Sequence, residues 1–368
     1  MEGTEMQTRN MISGLATCAF MFMSAGYGQA QEAATPLTVS ASATSEVPEK
    51  VQSGDLRIAV VRQINSGDFY EQWMDGAQQE ADRLSVKLDI YNANGDNARQ
   101  ALMLEQAVAT QPDAIVLALG FGETLEPGIA AAQAANIPVV AFYVEVEPSA
   151  NVVTIDQGDT LMMDGVLNQL AQDLGGGELN AKVIYVYVPG YQALDTRHTV
   201  WVDFLEKNPG VQSVGTIGVV NSNTAAQTAD QTKAMLTANR DVKAIIAPFN
   251  EFAKGAALGI EELGMQKDVK VYGIDISTAD IAVMTKPDSP WVATGTTDPS
   301  NVGAVVLRAA TLKAVGQLEG ETLSVPPTIV TQAALLKDGI QNMEQLAENF
   351  PSLKTPELLS APWMDGMQ

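Results

Sequence analysis

Cysteine and histidine are almost missing from this chain: Cys18 and His198 are the only examples among 368 residues. A disulfide framework and a cysteine-based metal site are therefore excluded. His198 falls in a helical stretch with no second histidine to share a metal, and no Gly-x-Ser-x-Gly elbow accompanies it. Positive charge is also scarce. Lys and Arg number 21 against 44 Asp and Glu, a net charge of −23, the wrong sign for a nucleic-acid partner. The apolar stretch 11–23 is too short for a membrane span. No cofactor and no metal are expected.

Hydrophobic residues make up 46% of the chain and charged residues 18%, as in soluble globular proteins. The length calls for two domains. Residues 1–30 read as a secretory signal peptide, with Arg9 ahead of the apolar stretch and Gly28-Gln29-Ala30 offering small residues for cleavage after Ala30. Lipidation at Cys18 is disfavoured because Thr17 precedes it and the apolar run continues past it. Residues 31–54, rich in Ala, Thr, Ser, Pro and Glu, read as a disordered tether, so folding is expected to start near Asp55.

The rest of the chain is organised around the stretch Leu56 to Leu84. Leu56 to Val61 is a short β-branched run, a buried strand. Asn65-Ser66-Gly67-Asp68 is a loop. Phe69, Trp73, Gly76, Ala77 and Ala81 then recur at helical spacing. Ligands of open α/β sheets bind just beyond the carboxyl ends of strands, which places Arg62, Asp68, Phe69 and Tyr70 where a ligand is met. Phe69 and Tyr70 cannot both point inward, because helix neighbours do not share a face.

Strands and helices alternate from there. Strands at 86–91, 114–118, 139–143 and 152–155 enclose helices at 98–110 and 125–135. After a helix over 162–174, strands at 182–188, 213–219, 244–247 and 269–274 enclose helices at 196–207, 224–238 and 253–263. This repeat predicts two similar α/β halves with parallel sheets and a cleft between them. Asn92 to Asn97 lacks the spacing of a calcium loop and reads as a loop with a helix cap. Gly175-Gly176-Gly177 follows a helix instead of preceding one, so it is a terminator and not a phosphate loop. Asp275 ends a strand, where it can accept hydrogen bonds from ligand hydroxyls or cap the next helix. Arg197 is read at a helix start, where the dipole disfavours a cation, so a partner is implied. Phe249 and Asn250 mark another strand end.

In this layout the segments Asp75-Gly76-Ala77-Gln78-Gln79-Glu80-Ala81-Asp82, Ala134-Ala135-Asn136-Ile137-Pro138-Val139-Val140, Asn250-Glu251 before Ala253-Lys254-Gly255, and Val271-Tyr272-Gly273-Ile274-Asp275 together make the chain resemble the periplasmic sugar-binding proteins of bacterial ABC importers, of the ribose-binding type. The resemblance covers roughly residues 55–332. It implies two doubly wound, Rossmann-like parallel-sheet domains joined by a three-strand hinge. The domains fall at 55–154 with 298–327 and at 155–297 with 328–345, leaving 346–368 as a C-terminal extension. It also implies a sugar or polyol held between the domains by aromatic rings and polar side chains. The matching positions are Arg62, Phe69, Tyr70, Arg197, Phe249, Asn250 and Asp275, with the hinge Gln position at Thr297 beside Asp298. Ribose-type members carry Asp-Arg where this chain has Tyr143 and Val144, next to Glu145, and a cleft aromatic near Asn223 is replaced. A different sugar, a polyol or another small polar ligand therefore stands open beside ribose. The implied partner is an inner-membrane ABC permease, the location the periplasm and the state a monomer. The competing readings are a secreted α/β hydrolase, which lacks a well-placed histidine, a sugar-responsive repressor, which lacks a DNA-binding segment before Asp55, and a sensor feeding a chemoreceptor.

Overall fold

The computed structural model describes residues 39–354 and 356–367. The expected signal peptide, Cys18 and the first part of the expected tether lie outside the described residues. The rest of that tether is a correction. Val39 and Val51 are fully buried; β1 (Ser40–Ala41) pairs antiparallel with β12 (Leu318–Glu319), and α1 (Glu49–Gln52) precedes the first long strand. The two valines supply the apolar contact that a composition average over 31–54 dilutes.

Lobe one runs β2 (Arg57–Arg62), α2 (Asp68–Arg83), β3 (Lys87–Asn92), α3 (Asn97–Ala109), β4 (Ala114–Gly120), α4 (Gly122–Ala134), β5 (Val139–Val144) and β6 (Val152–Asp156). Lobe two runs α5 (Asp159–Asp173), β7 (Ala181–Val186), α6 (Gln192–Lys207), β8 (Val211–Ile217), α7 (Thr224–Ala238), β9 (Val242–Ala247), α8 (Asn250–Glu262), β10 (Lys270–Ile274), α9 (Thr278–Met284) and β11 (Trp291–Thr296). The chain returns to lobe one through α10 (Pro299–Ala314), β12 and β13 (Thr322–Ser324). It re-enters lobe two as β14 (Thr328–Thr331), α11 (Gln332–Asp338) and α12 (Met343–Asn349). The sheet orders are β13-β6-β5-β4-β2-β3 and β14-β11-β10-β9-β7-β8. Every pairing within them is parallel except β11 with β14. Helices cover both faces, which is why every residue of β4 and β5 is buried and why these strands read as unbroken apolar runs.

Caps fall where the sequence offers them. Asp96 accepts from the Arg99 N–H at the start of α3, so the 92–97 loop carries a helix cap. The three glycines that follow α5 all take positive φ, +96°, +67° and +70°. Asp298 accepts from the Ser300 and Asn301 N–H groups, with Pro299 as the first residue of α10.

Between the lobes the chain crosses at 157–158, 297–298 and 325–327, and a fourth time beyond α12. Leu346, Ala347 and Leu353 pack in the lobe-two core, whereas Leu359, Ala361, Trp363 and Met364 pack in that of lobe one. The tail therefore spans both lobes.

Helices α2 and α10 touch almost backbone to backbone. A Cβ on Gly303 would lie 2.0 Å from the Trp73 carbonyl oxygen, and one on Gly76 would lie 2.0 Å from that of Ser300. Gly303→Ala gains up to about 1 kcal/mol in helix propensity. The clash is with backbone that cannot rotate away and outweighs that gain. A net loss of about 2–3 kcal/mol is expected, read as a lower urea midpoint. An unchanged midpoint would refute this packing.

Candidate ligand cleft

The carboxyl ends of both sheets face each other across a cleft with a buried charged cluster at its floor. Arg197 is only 2% exposed. Its Nε donates to Asp159 Oδ1 at 2.7 Å and its Nη1 to the Pro248 carbonyl at 2.7 Å, with Asp275 Oδ2 at 3.4 Å. Tyr143 donates its hydroxyl to Asp159 Oδ1 at 3.0 Å and accepts from Gln157 Nε2 at 3.1 Å. Thr297 donates to Gln157 Oε1. Two members have left-handed backbone, Tyr143 at φ +55° and Asp275 at φ +69°. Such conformations cost on the order of 1–3 kcal/mol each in a non-glycine residue. Here they turn each side chain off its strand end into the cleft.

Burial raises Asp159, against the pull of Arg197, to a pKa of about 6. Asp275 is raised for the same reason. Burial opposes the charge on Arg197 too, but Asp275 and then Asp159 outweigh it and hold the guanidinium above its ordinary pKa. Asp275 Oδ1 and Asn250 Oδ1 are buried without a hydrogen-bond partner among the described residues. Asp275 lines the cavity, so its Oδ1 is an acceptor that a hydroxyl-bearing ligand can satisfy.

Above the floor the walls are apolar. Tyr70 and Phe249 approach across the cleft with ring centroids 6.2 Å apart, and Ile64, Leu119, Leu194 and Val220 complete a tight cavity of about 30 Å³. Lobe contacts continue at its edge. Lys254 of α8 pairs with Asp68 at 2.6 Å and with Glu251, and Phe121 packs on Tyr191 at 5.1 Å.

Of the expected residues, Tyr70, Tyr143, Arg197, Phe249 and Asp275 line this cavity. The others are placed elsewhere. Arg62 is buried and not among the lining residues; burial lowers its pKa while Glu71 and Asp75 of α2 act to raise it. Asp68 is engaged by Lys254. Phe69 is 2% exposed and sets its ring edge-on behind Tyr70, so the two neighbours divide between core and cleft. Glu145 is exposed at the outer rim, in a groove shared with Glu123 and Gln192. Asn223 is exposed ahead of α7. Asn250 donates to Asp280 Oδ2 at 2.8 Å. Thr297 holds Gln157, and Asp298 is spent as a helix cap. Arg197 sits in the second turn of α6, because that helix begins at Gln192, not 196.

Sequence reasoning missed Gln157, Asp159 and the apolar wall. The signal for the first two was Gln157-Gly158-Asp159 directly after a strand end. Gly158 has φ +68°, and a Cβ there would meet Pro327 at 2.9 Å. The tight hinge turn therefore requires glycine.

Asp280 offers a pH test. Burial, partly offset by Lys254, raises it to about 6. Its folded pKa lies above its unfolded one, so its contribution to stability is full at low pH and is lost as pH rises through about 6. Asp280→Asn is expected to melt within a degree or so of wild type at about pH 4 and to gain on it by a few degrees at pH 7. A gap independent of pH would refute the raised value.

Comparison with known proteins places these features. A family model described as a periplasmic binding protein domain matches residues 58–318. The ribose import binding protein of Bacillus subtilis (strain 168) is 25% identical over 272 residues, 72% of this chain and 83% of that protein. A solute-binding protein of a 5-methylthioribose transporter from Thermotoga lettingae TMO, solved with 5-methylthioribose, is 36% identical with a TM-score of 0.83, covering 88% of this chain and 99% of that one. A sugar ABC transporter structure from Yersinia enterocolitica subsp. enterocolitica 8081 is 26% identical, also at 0.83, covering 88% and 98%. The parallel-sheet lobes, the cleft and these matches lead to one conclusion: the chain belongs to the periplasmic binding protein family and is a solute-binding protein of the sugar ABC-importer type.

Proposed function

We propose that this protein captures a pentose carrying an apolar sulfur-linked substituent, 5-methylthioribose or a near analogue, and hands it to an ABC permease. The observation that carries the reading is the two-ended cavity. Arg197, Asp275, Tyr143 and Gln157 gather at one end, and Ile64, Leu119, Leu194 and Val220 wall the other. Charged planar groups bind sugar hydroxyls by strong directional hydrogen bonds, and the aromatic faces of Tyr70 and Phe249 cover C–H surfaces. An unmodified pentose has no group for the apolar wall. The 36% identity with the protein solved with 5-methylthioribose supports the same choice.

Capture is by closure of the lobes about the hinge crossings. The leader at 1–30 supports export to the periplasm, and the acidic chain works there as a monomer. Among the described residues no helix is long and apolar enough to cross a membrane.

The test is calorimetry with residues 31–368. Burying a methylthio group is worth about 2 kcal/mol, so 5-methylthioribose should bind about thirtyfold tighter than ribose. Equal affinity for the two, or binding of neither, would refute the reading.

A further inference from the structure

The ligand cavity is not closed at its apolar end. Ile64, Tyr191, Val220 and Phe249 form a throat that also lines a second, larger chamber of about 410 Å³. Beyond the throat its walls come from loops of both lobes. Asn65, Ser66 and Asn94 project from lobe one, and Asn221, Ser222 and Thr224 from lobe two.

Charge there is nearly absent. Among the described residues the lone charged side chain on its wall is Glu251, and that carboxylate is paired with Lys254. The Lys254 ammonium is further held by Asp68 at 2.6 Å, with Asp280 at 3.7 Å. The wall thus offers no cation to receive a phosphate or carboxylate, and an anion would meet Glu251 without compensation. The wall polars are also partly committed to one another: Asn221 N–H donates to Thr224 Oγ1 and Asn223 N–H to Asn221 Oδ1. An apolar throat leading to a neutral chamber is shaped for a neutral substituent.

We propose that the outer chamber is a subsite for the substituent on the terminal carbon of the sugar and admits neutral groups larger than methylthio. This rests on the ligand reading above, with the hydroxyls at the Arg197 end. The substituent then points at the throat, and an alkyl chain of several carbons passes between Val220 and Phe249 into the chamber. Specificity is set by charge and not by length.

The experiment is calorimetry of the full folded chain with ribose derivatives bearing methylthio, butylthio and carboxymethylthio at the terminal carbon. Butylthio is expected within about tenfold of methylthio, and carboxymethylthio at least about tenfold weaker than butylthio. Ser222→Trp, which fills the chamber without touching the inner cavity, should weaken butylthio at least about tenfold and leave methylthio within about threefold. Ser66→Trp does the same from the opposite wall, should Ser222→Trp fail to fold. Tight methylthio binding with butylthio weaker by about a hundredfold or more would overturn the subsite and leave the ligand reading intact. Equal loss of both ligands in the tryptophan variants would also overturn it. Failure of methylthioribose itself to bind would overturn both.

Discussion

Arg197→Met abolishes ligand-induced stabilisation and lowers the stability of the free protein by about 3–5 kcal/mol at pH 7. Two buried carboxylates, Asp159 and Asp275, face this one guanidinium. Removing it leaves like charges in a low-dielectric site with no counter-ion. The loss must shrink on acidification. Asp159 stands at about 6 and Asp275 is also raised even with Arg197 present, and without it both rise further, so acidification neutralises them in the folded state. Thermal melts at pH 5 and pH 7 check this: the deficit should be largest at pH 7. Combining Arg197→Met with Asp159→Asn and Asp275→Asn removes the unpaired charge and should recover most of the stability. It should not recover binding, because the charge-assisted bonds to hydroxyls are gone. A single variant as stable as wild type at pH 7 would mean that the cluster is not the buried network described.

Truncation after Lys354 is expected to unfold lobe one ahead of lobe two. The tail ends in the lobe-one core, where Trp363 is 3% exposed and donates Nε1 to Gln317 Oε1 at 2.8 Å. Arg83 Nη1 donates to the Met364 and Met367 carbonyls at 2.6 and 3.1 Å. Trp363→Ala alone should cost about 3–5 kcal/mol, and the truncation also strips Leu359 and Met364 from the same core. Lobe two retains α11, α12 and Leu353, so hydrogen exchange should show protection lost in β2, β4 and β5 and retained in β7, β9 and β10. Uniform protection close to that of the full chain would show that the tail is dispensable. Because the tail spans both lobes beside the hinge, its loss should also widen the angle between the lobes, readable by small-angle scattering.

The two-lobe α/β architecture was legible because it rests on local information. Unbroken apolar runs such as Ala114 to Leu119 are what a strand covered on both faces requires, and α2 shows its buried stripe at Phe69, Trp73, Ala77 and Ala81 as plain helical spacing. The strand-end rule singled out Phe249 and Asp275, and the family resemblance Tyr143; all three line the cavity, since topology carries the strand ends to one cleft. The resemblance also pointed to Glu145 and Asn223, which are exposed, and to Asp298, which caps a helix.

The number of lobes, the order of strands and helices along the chain, and the strand ends that face the cleft are all written in local sequence. All of these come from periodicities of about two and 3.6 residues along the chain. Tertiary structure alone decided which strand-end side chain turns inward, that Gln157 and Asp159 join Arg197, that a tail read as an extension clasps both lobes, and that the cavity continues through a throat. Those outcomes depend on backbone angles such as the positive φ of Tyr143 and Asp275, and on contacts between segments far apart in the chain. Neither leaves a mark on local hydrophobic pattern.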